Sequence, residues 1–284
     1  MTNPPRNSKP AGPTVPLAVW PIAQRSAAPV GQPRYHPECA EDSGAIQPAL
    51  ARRVIEEYSA SGDLVVDPAC GVGTTLIEAA VVGRRAIGLE RDRCSVTTAR
   101  KNVRCALEGR RRDLANVRVG QACMLTRRLG DVTGTVDLIC TSSALLDACR
   151  RAPGGGPRSR KAVKETQAVD PEMALDEIYA GCHNLLRPGG ILVVVTRSSR
   201  QRGVLADGPG TSVALAKRAG FTYLQHVVAI DATICDGSLV AHPSSGQRVA
   251  LRRSLGRGEP AHLVAHHDVA VLRRPTRSES AHVN

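Results

Sequence analysis

Aromatic side chains are scarce in this 284-residue chain, at 2% of positions: one Phe, four Tyr and one Trp. Few rings are therefore available to stack on unpaired bases, a mode of recognition that needs a π-face. The nine cysteines include no C-x-x-C pair, so neither a zinc ribbon nor a disulfide framework is legible. Free thiols of this kind suit a reducing cytoplasm. No apolar run approaches the ~20 residues of a membrane span. No basic-then-apolar leader opens the sequence, and a soluble intracellular protein is expected. His262, His266, His267 and Glu259 form the one histidine-rich group. In a strand, neighbours 266 and 267 point to opposite faces, so no metal site is expected there.

Positive charge is what the chain has in excess: 38 Lys+Arg against 26 Asp+Glu, a net +12. A basic balance favours a polyanionic partner, as an electrostatic footprint rather than an identification. With 42% hydrophobic residues, the length suits one substantial α/β domain.

The organising stretch is Leu64 to Glu90, LVVDPACGVGTTLIEAAVVGRRAIGLE. Leu64-Val65-Val66 is a short apolar run of the kind buried on both faces of a parallel sheet. Asp67-Pro68 ends it, and the chain turns through Ala69-Cys70-Gly71-Val72-Gly73. Thr74 and Thr75 are expected to cap a helix closed at Gly83, and Ala86 to Leu89 returns as a strand ending in Glu90. Gly71 and Gly73 would let the backbone approach a ligand without Cβ interference. Glu90 stands where an acid accepts hydrogen bonds from ribose hydroxyls. The full G-x-G-x-x-G and the G-K-[ST] are missing, which excludes a dinucleotide fingerprint and a P-loop.

DPACGVGTT followed by IGLE resembles the S-adenosylmethionine motif of amino-methylating (N4-cytosine or N6-adenine) DNA methyltransferases, often DP-x-x-G-x-GTT. Some RNA guanine methyltransferases share it. The resemblance implies a Rossmann-like class I methyltransferase fold, a mostly parallel seven-stranded sheet flanked by helices. It places Asp67, Pro68, Gly71, Gly73, Thr74 and Thr75 around S-adenosyl-L-methionine and gives Glu90 the ribose. Where the family usually carries an adenine-binding acid, as in G-D-A, this chain has Gln121, whose amide can still pair with adenine.

The remaining chain fits this frame. Residues 1–33, with prolines at 4, 5, 10, 13, 16, 21, 29 and 33, read as a disordered tail in which 17–22 is one apolar island. The domain is expected over 34–274 and a short tail over 275–284. Helices are predicted over 47–58, 92–107, 170–186 and 211–219, the third with Met173, Ile178, Cys182 and Leu185 facing inward. Arg187-Pro188-Gly189-Gly190 leads into the strand 191–196, with its glycines as cap and tight turn. Strands at 221–230 and 262–272 would form an antiparallel pair at the sheet edge. His36-Pro37 and Gln47-Pro48 loosely match a cofactor-contacting segment of the family, or simply begin an edge helix.

The strand 136–141 delivers Ser142, Ser143, Ala144 and Leu145 to the reactive end of the sheet. In the resembling enzymes this loop reads S/N/D-P-P-aromatic, where the first side chain binds the target amino group and the ring stacks on the flipped base. Ser142 is the retained member and the candidate catalytic residue; Pro-Pro-aromatic is replaced. Arg150, Arg151, Arg158, Arg160 and Lys161, in a Gly/Pro/Arg segment, are candidate contacts to DNA or RNA. The basic stretch 241–257, helix-prone after Gln247, is a second. The function implied is methyl transfer to a base nitrogen, in DNA before RNA. The alternatives are a catalytically degenerate homologue that binds cofactor or nucleic acid as a regulator, and a small-molecule methyltransferase.

Overall fold

A computed structural model describes residues 17–22, 46–142, 145, 171–201, 204–243, 245–276 and 278. Its first element comes from the proline-rich tail. Val19–Pro21 forms strand β1, with Trp20 5% and Ile22 2% exposed. The apolar island thus belongs to the sheet, because two large apolar side chains gain more from burial than the segment loses in freedom.

Helix α1 (Pro48–Tyr58) starts on a proline, which suits a first turn whose N–H needs no partner. It leads to β2 (Leu64–Asp67), whose four residues are all buried. Helix α2 (Thr74–Val81), β3 (Arg85–Glu90), α3 (Arg93–Ala106) and β4 (Ala115–Val119) follow. After β4 come the short helix α4 (Leu125–Arg128) and β5 (Val136–Ser142). Helix α5 (Pro171–Leu185) then leads to β6 (Leu186–Thr196).

The inner face of α3 is Val96, Ala99, Val103 and Leu107, all buried as its spacing predicts. On α5 the buried residues are Ala174, Leu175, Ile178, Tyr179, Cys182 and Leu185, whereas Met173 is 63% exposed. The expectation for Met173 fails because it lies five residues from Ile178, well off the i, i+3, i+4 stripe.

The last part carries β7 (Ser199–Gln201), β8 (Val204–Ala206), α6 (Gly208–Arg218) and β9 (Thr222–Ile230). Then come β10 (Ala232–Cys235), β11 (Ser238–Ala241), α7 (Ser245–Gly256) and β12 (His266–Arg273). β10 and β11 form a hairpin closed by Asp236 (φ 48°) and Gly237 (φ 75°). Asp-Gly is the dipeptide that such a two-residue turn favours.

The main sheet runs β1-β9-β12-β6-β5-β2-β3-β4. Strands β2 to β6 pair in parallel. β12 is antiparallel to β6 and β9, the expected antiparallel pairing. β1 adds a parallel strand beyond β9, so the sheet has eight strands rather than seven.

Leucines and valines of alternate sheet positions feed two cores. One joins the sheet to α1, α2 and α3, the other to α4, α5 and α6. The chain winds outward through β2, β3 and β4, then returns to β5 and β6 on the other side of β2. The crevice at this reversal, beyond the carboxyl ends of the strands, is where such sheets bind ligands.

Candidate functional site

The turn after β2 is fixed by backbone geometry. Gly71 has φ +52° and Gly73 φ +90°, the left-handed region that other residues rarely adopt. Gly73 donates to the Cys70 carbonyl at 2.8 Å, and Cys70 donates to that of Leu89 at 3.0 Å. Asn102 of α3, fully buried, donates to the Val72 carbonyl at 2.9 Å. A Cβ on Gly73 would lie 3.3 Å from that of Ala99. Gly73 therefore leaves room for α3 to pack against the turn.

Thr74 and Thr75 also differ from expectation. The N-cap of α2 is Gly73 itself, without a side-chain cap. The left-handed turn carries the chain directly into the helix, and both threonines are buried in its first turn. Thr75 instead bonds the carboxylate of Asp67. Asp67 is 5% exposed and also accepts from the Ala69 amide at 3.1 Å. Burial lifts its pKa to about 6 against the lowering effect of those two hydrogen bonds.

Glu90 closes the turn from β3. One carboxylate oxygen accepts from the Gly71 amide at 3.1 Å, the other from the Asp92 amide at 2.8 Å. Asp92 then caps α3 through the Ser95 amide at 2.8 Å. A carboxylate pinned by two backbone donors keeps further lone pairs for a ligand.

Glu90 borders a cleft of about 620 Å³, part of it open to water. The walls are Pro68 and Ala69 after β2, Leu89, Glu90 and Arg91 at the end of β3, and Gly120 to Cys123 after β4; Ala174 and Glu177 of α5 complete them. Three of the sequence-predicted residues, Pro68, Glu90 and Gln121, line this cleft. Asp67, Gly71, Gly73, Thr74 and Thr75 build the turn behind it. The sequence reading missed Glu177, which no periodicity in the glycine motif could reveal, and Asn102, whose role depends on packing.

Ser142 ends β5, half-buried, opposite Val195 of β6. It stands beyond the level of Asp67, since Val66 pairs with Ile139, and it does not line the cleft. Leu145, at the position that the resemblance gives to the aromatic ring, is 1% exposed and sits in the core beside α5. Ser143, Ala144, His36-Pro37, Arg150, Arg151, Arg158, Arg160 and Lys161 lie outside the described residues. Gln47 precedes α1 and donates to Asp231 at 2.8 Å, a structural tie to the end of β9. His267 is buried and His266 half-exposed, on the opposite faces expected of strand neighbours. Burial brings the His267 pKa down to about 4, with Arg197 adding to the effect.

The arrangement fits a nucleotide-type cofactor: a close backbone turn, a pinned acid and a cleft at the switch point. A family model described as DNA methylase matches residues 6–101. The N-terminal third of this chain is similar to the DNA methylases. On a sheet of this order, the fold is that of a class I methyltransferase, and the cofactor of such a motif is S-adenosyl-L-methionine.

A type II methyltransferase, M.MthZI of Methanothermobacter thermautotrophicus, is 44% identical to this chain over 63 residues. The match covers 22% of this chain and 18% of that protein, so the chain spans under a fifth of its relative. Among solved structures, a geranyl diphosphate methyltransferase in complex with S-adenosylmethionine overlaps at TM-score 0.49 and 15% identity, over 80% of this chain and 85% of that one. TrmN from Thermus thermophilus overlaps at TM-score 0.47 and 19% identity, over 81% and 50%.

The seven described cysteines are all free, and burial pushes the thiols of Cys70, Cys140 and Cys182 up. No described helix is long and apolar enough to cross a membrane.

Proposed function

We propose that this protein is an S-adenosylmethionine-dependent methyltransferase acting on a nitrogen of a nucleic-acid base, in DNA. The observation that carries the reading is the Glu90 carboxylate, pinned by the Gly71 and Asp92 amides at the edge of the cleft. It stands inside the segment that matches the DNA methylase model. Bound S-adenosylmethionine supplies a methyl group made electrophilic by its sulfonium. Glu90 accepts hydrogen bonds from the ribose, Gln121 pairs with adenine, and the Asp67–Thr75 turn shapes the methionine end. Ser142 accepts a hydrogen bond from the target amino group. Transfer is direct, so the protein contributes orientation rather than a nucleophile.

One observation favours a second reading, a cofactor-binding regulator without transfer. Leu145 is committed to the core, so the position of the stacking ring holds a packed aliphatic side chain. Incubation with methyl-labelled S-adenosylmethionine and genomic DNA, total RNA or neither separates the readings. Label in DNA bases is expected. Tight cofactor binding with no label in either polymer, nor in the metabolites of a cell extract, would establish the regulator instead.

The charge on α7 supports a polyanionic acceptor. Arg248, Arg252 and Arg253 are exposed on a helix without an acidic residue. Gln247 ties this helix to Val264 at 3.3 Å, just before β12, whose start lies at the carboxyl edge of the parallel strands. Replacing the three arginines with Ala is expected to weaken duplex DNA binding evenly across sequences. The slope of log K against log salt should fall by about 2 to 3. An unchanged slope in a filter-binding series would remove α7 from the interface.

A further inference from the structure

The cleft brings together three charged side chains, Glu90, Arg91 and Glu177. Glu90 spends one interaction of each oxygen on the backbone of its own turn. Glu177 comes from the opposite wall and belongs to no motif. Ala174 and Glu177 are three residues apart, hence on one face of α5, and both line the cleft.

The packing of α5 places that face. Leu175 and Ile178 share a core with Ala122 and Leu125, and a Cβ on Gly181 would meet that of Leu125 at 3.2 Å. Glu177 thus projects into the cleft from a helix that packs on the turn carrying Gln121, Ala122 and Cys123. On that wall Gln121 is neutral, and its carbonyl oxygen lies 3.5 Å from the Cys123 thiol. Gln121 keeps both of its amide N–H donors for the cleft.

A ring that carries both acceptor nitrogens and an exocyclic amino group needs a donor and an acceptor on this wall. Gln121 supplies the first, and a carboxylate, which only accepts, supplies the second. We propose that Glu177 reads the 6-amino group of the cofactor's adenine. The acid that the resembling methylases carry after this strand would thus be replaced by one on a different helix. The proposal rests on the cleft being the S-adenosylmethionine site. It makes the pocket selective for a 6-amino purine, since a 6-oxo group would set a lone pair against the carboxylate.

Calorimetric titration with S-adenosylhomocysteine and S-inosylhomocysteine tests this on the full chain. The wild type should prefer the adenosyl ligand by about 10-fold or more, the discrimination expected from one hydrogen bond to a charged group. Glu177→Ala should cut that ratio below about 5-fold, mostly by weakening the adenosyl ligand. Glu177→Gln, which keeps one acceptor oxygen, should fall between. Glu177 is exposed on its helix, and Ala and Gln are both good helix formers. Equal affinity of the wild type for the two ligands would overturn the proposal. So would a ratio unchanged in both variants, even if overall affinity drops. Binding of neither ligand by folded wild type would remove the cofactor reading itself, a different failure from loss of selectivity.

Discussion

Glu90→Ala should lose S-adenosylmethionine affinity by about 100-fold or more while the domain stays folded. Two ribose hydroxyls donating to one carboxylate are charge-assisted bonds, each worth about 1.5–3 kcal/mol, so losing both is at least a hundredfold effect. The same carboxylate holds the Gly71 and Asp92 amides at 3.1 and 2.8 Å. Removing it frees the glycine turn as well as the ribose subsite, and the stability cost should be about 1–3 kcal/mol. That cost separates the two roles. Glu90→Gln retains one oxygen but turns an amide donor toward a backbone donor, so it should also bind poorly. Calorimetry measures the affinity and a thermal melt the fold. A folded Glu90→Ala that binds within threefold of wild type, even with a lowered melting temperature, would show that the acid is only a clasp for the turn.

The frame of this site was legible in the sequence because its signals are local. A run of β-branched residues, a glycine turn and a returning strand ending in an acid are contiguous from Leu64 to Glu90, and each imposes its geometry within a few residues. The helix over 93–106 was legible for the same reason: Val96, Ala99 and Val103 keep one period. What was misread depends on neighbours distant in the chain. The packing of α3 on the turn at Gly73, through Ala99, gave no local signal. Gly88 drew no notice, yet a Cβ there would lie 2.6 Å from the Cys70 sulfur, so it allows β3 to press against the turn.

Tertiary packing also overrode local composition at the N-terminus. Prolines at 16 and 21 argue against regular structure, yet Trp20 donates to the Leu17 carbonyl at 3.1 Å and lies 6.3 Å from the Tyr58 ring. A three-residue strand at a sheet edge tolerates Pro21, because its missing N–H faces no ladder partner there. Glu177 illustrates the same limit for the site. Its place in the cleft is decided by the docking of α5 on the turn after β4, a contact between segments more than 50 residues apart.

Asp67→Asn should make the protein more stable at pH 8 and leave it little changed at pH 4. Asp67 is 5% exposed, and burial raises its pKa to about 6. A folded-state pKa above the unfolded one means that the native state binds the proton more readily than the unfolded chain. Stability from this group is therefore greatest at low pH and declines as pH rises from about 4 through about 6. The two-unit difference amounts to roughly 3 kcal/mol when the carboxylate is fully ionised. Asn is neutral throughout and keeps an oxygen for the Ala69 amide, so about 1–3 kcal/mol of that loss should be recovered at pH 8. The comparison must be made as variant minus wild type, because His267 acts in the opposite sense. Its folded pKa of about 4 lies below the unfolded value, so its contribution is lost as pH falls. Urea melts at pH 4 and pH 8 decide the matter, and an identical difference at the two values would mean that Asp67 is not buried as a charge. A group that destabilises the fold when ionised points to a use for that charge. The cofactor's sulfonium and amino group are cationic and would favour the ionised form. Wild-type affinity for S-adenosylmethionine should therefore rise between pH 5 and pH 7.5, and that rise should be absent in Asp67→Asn.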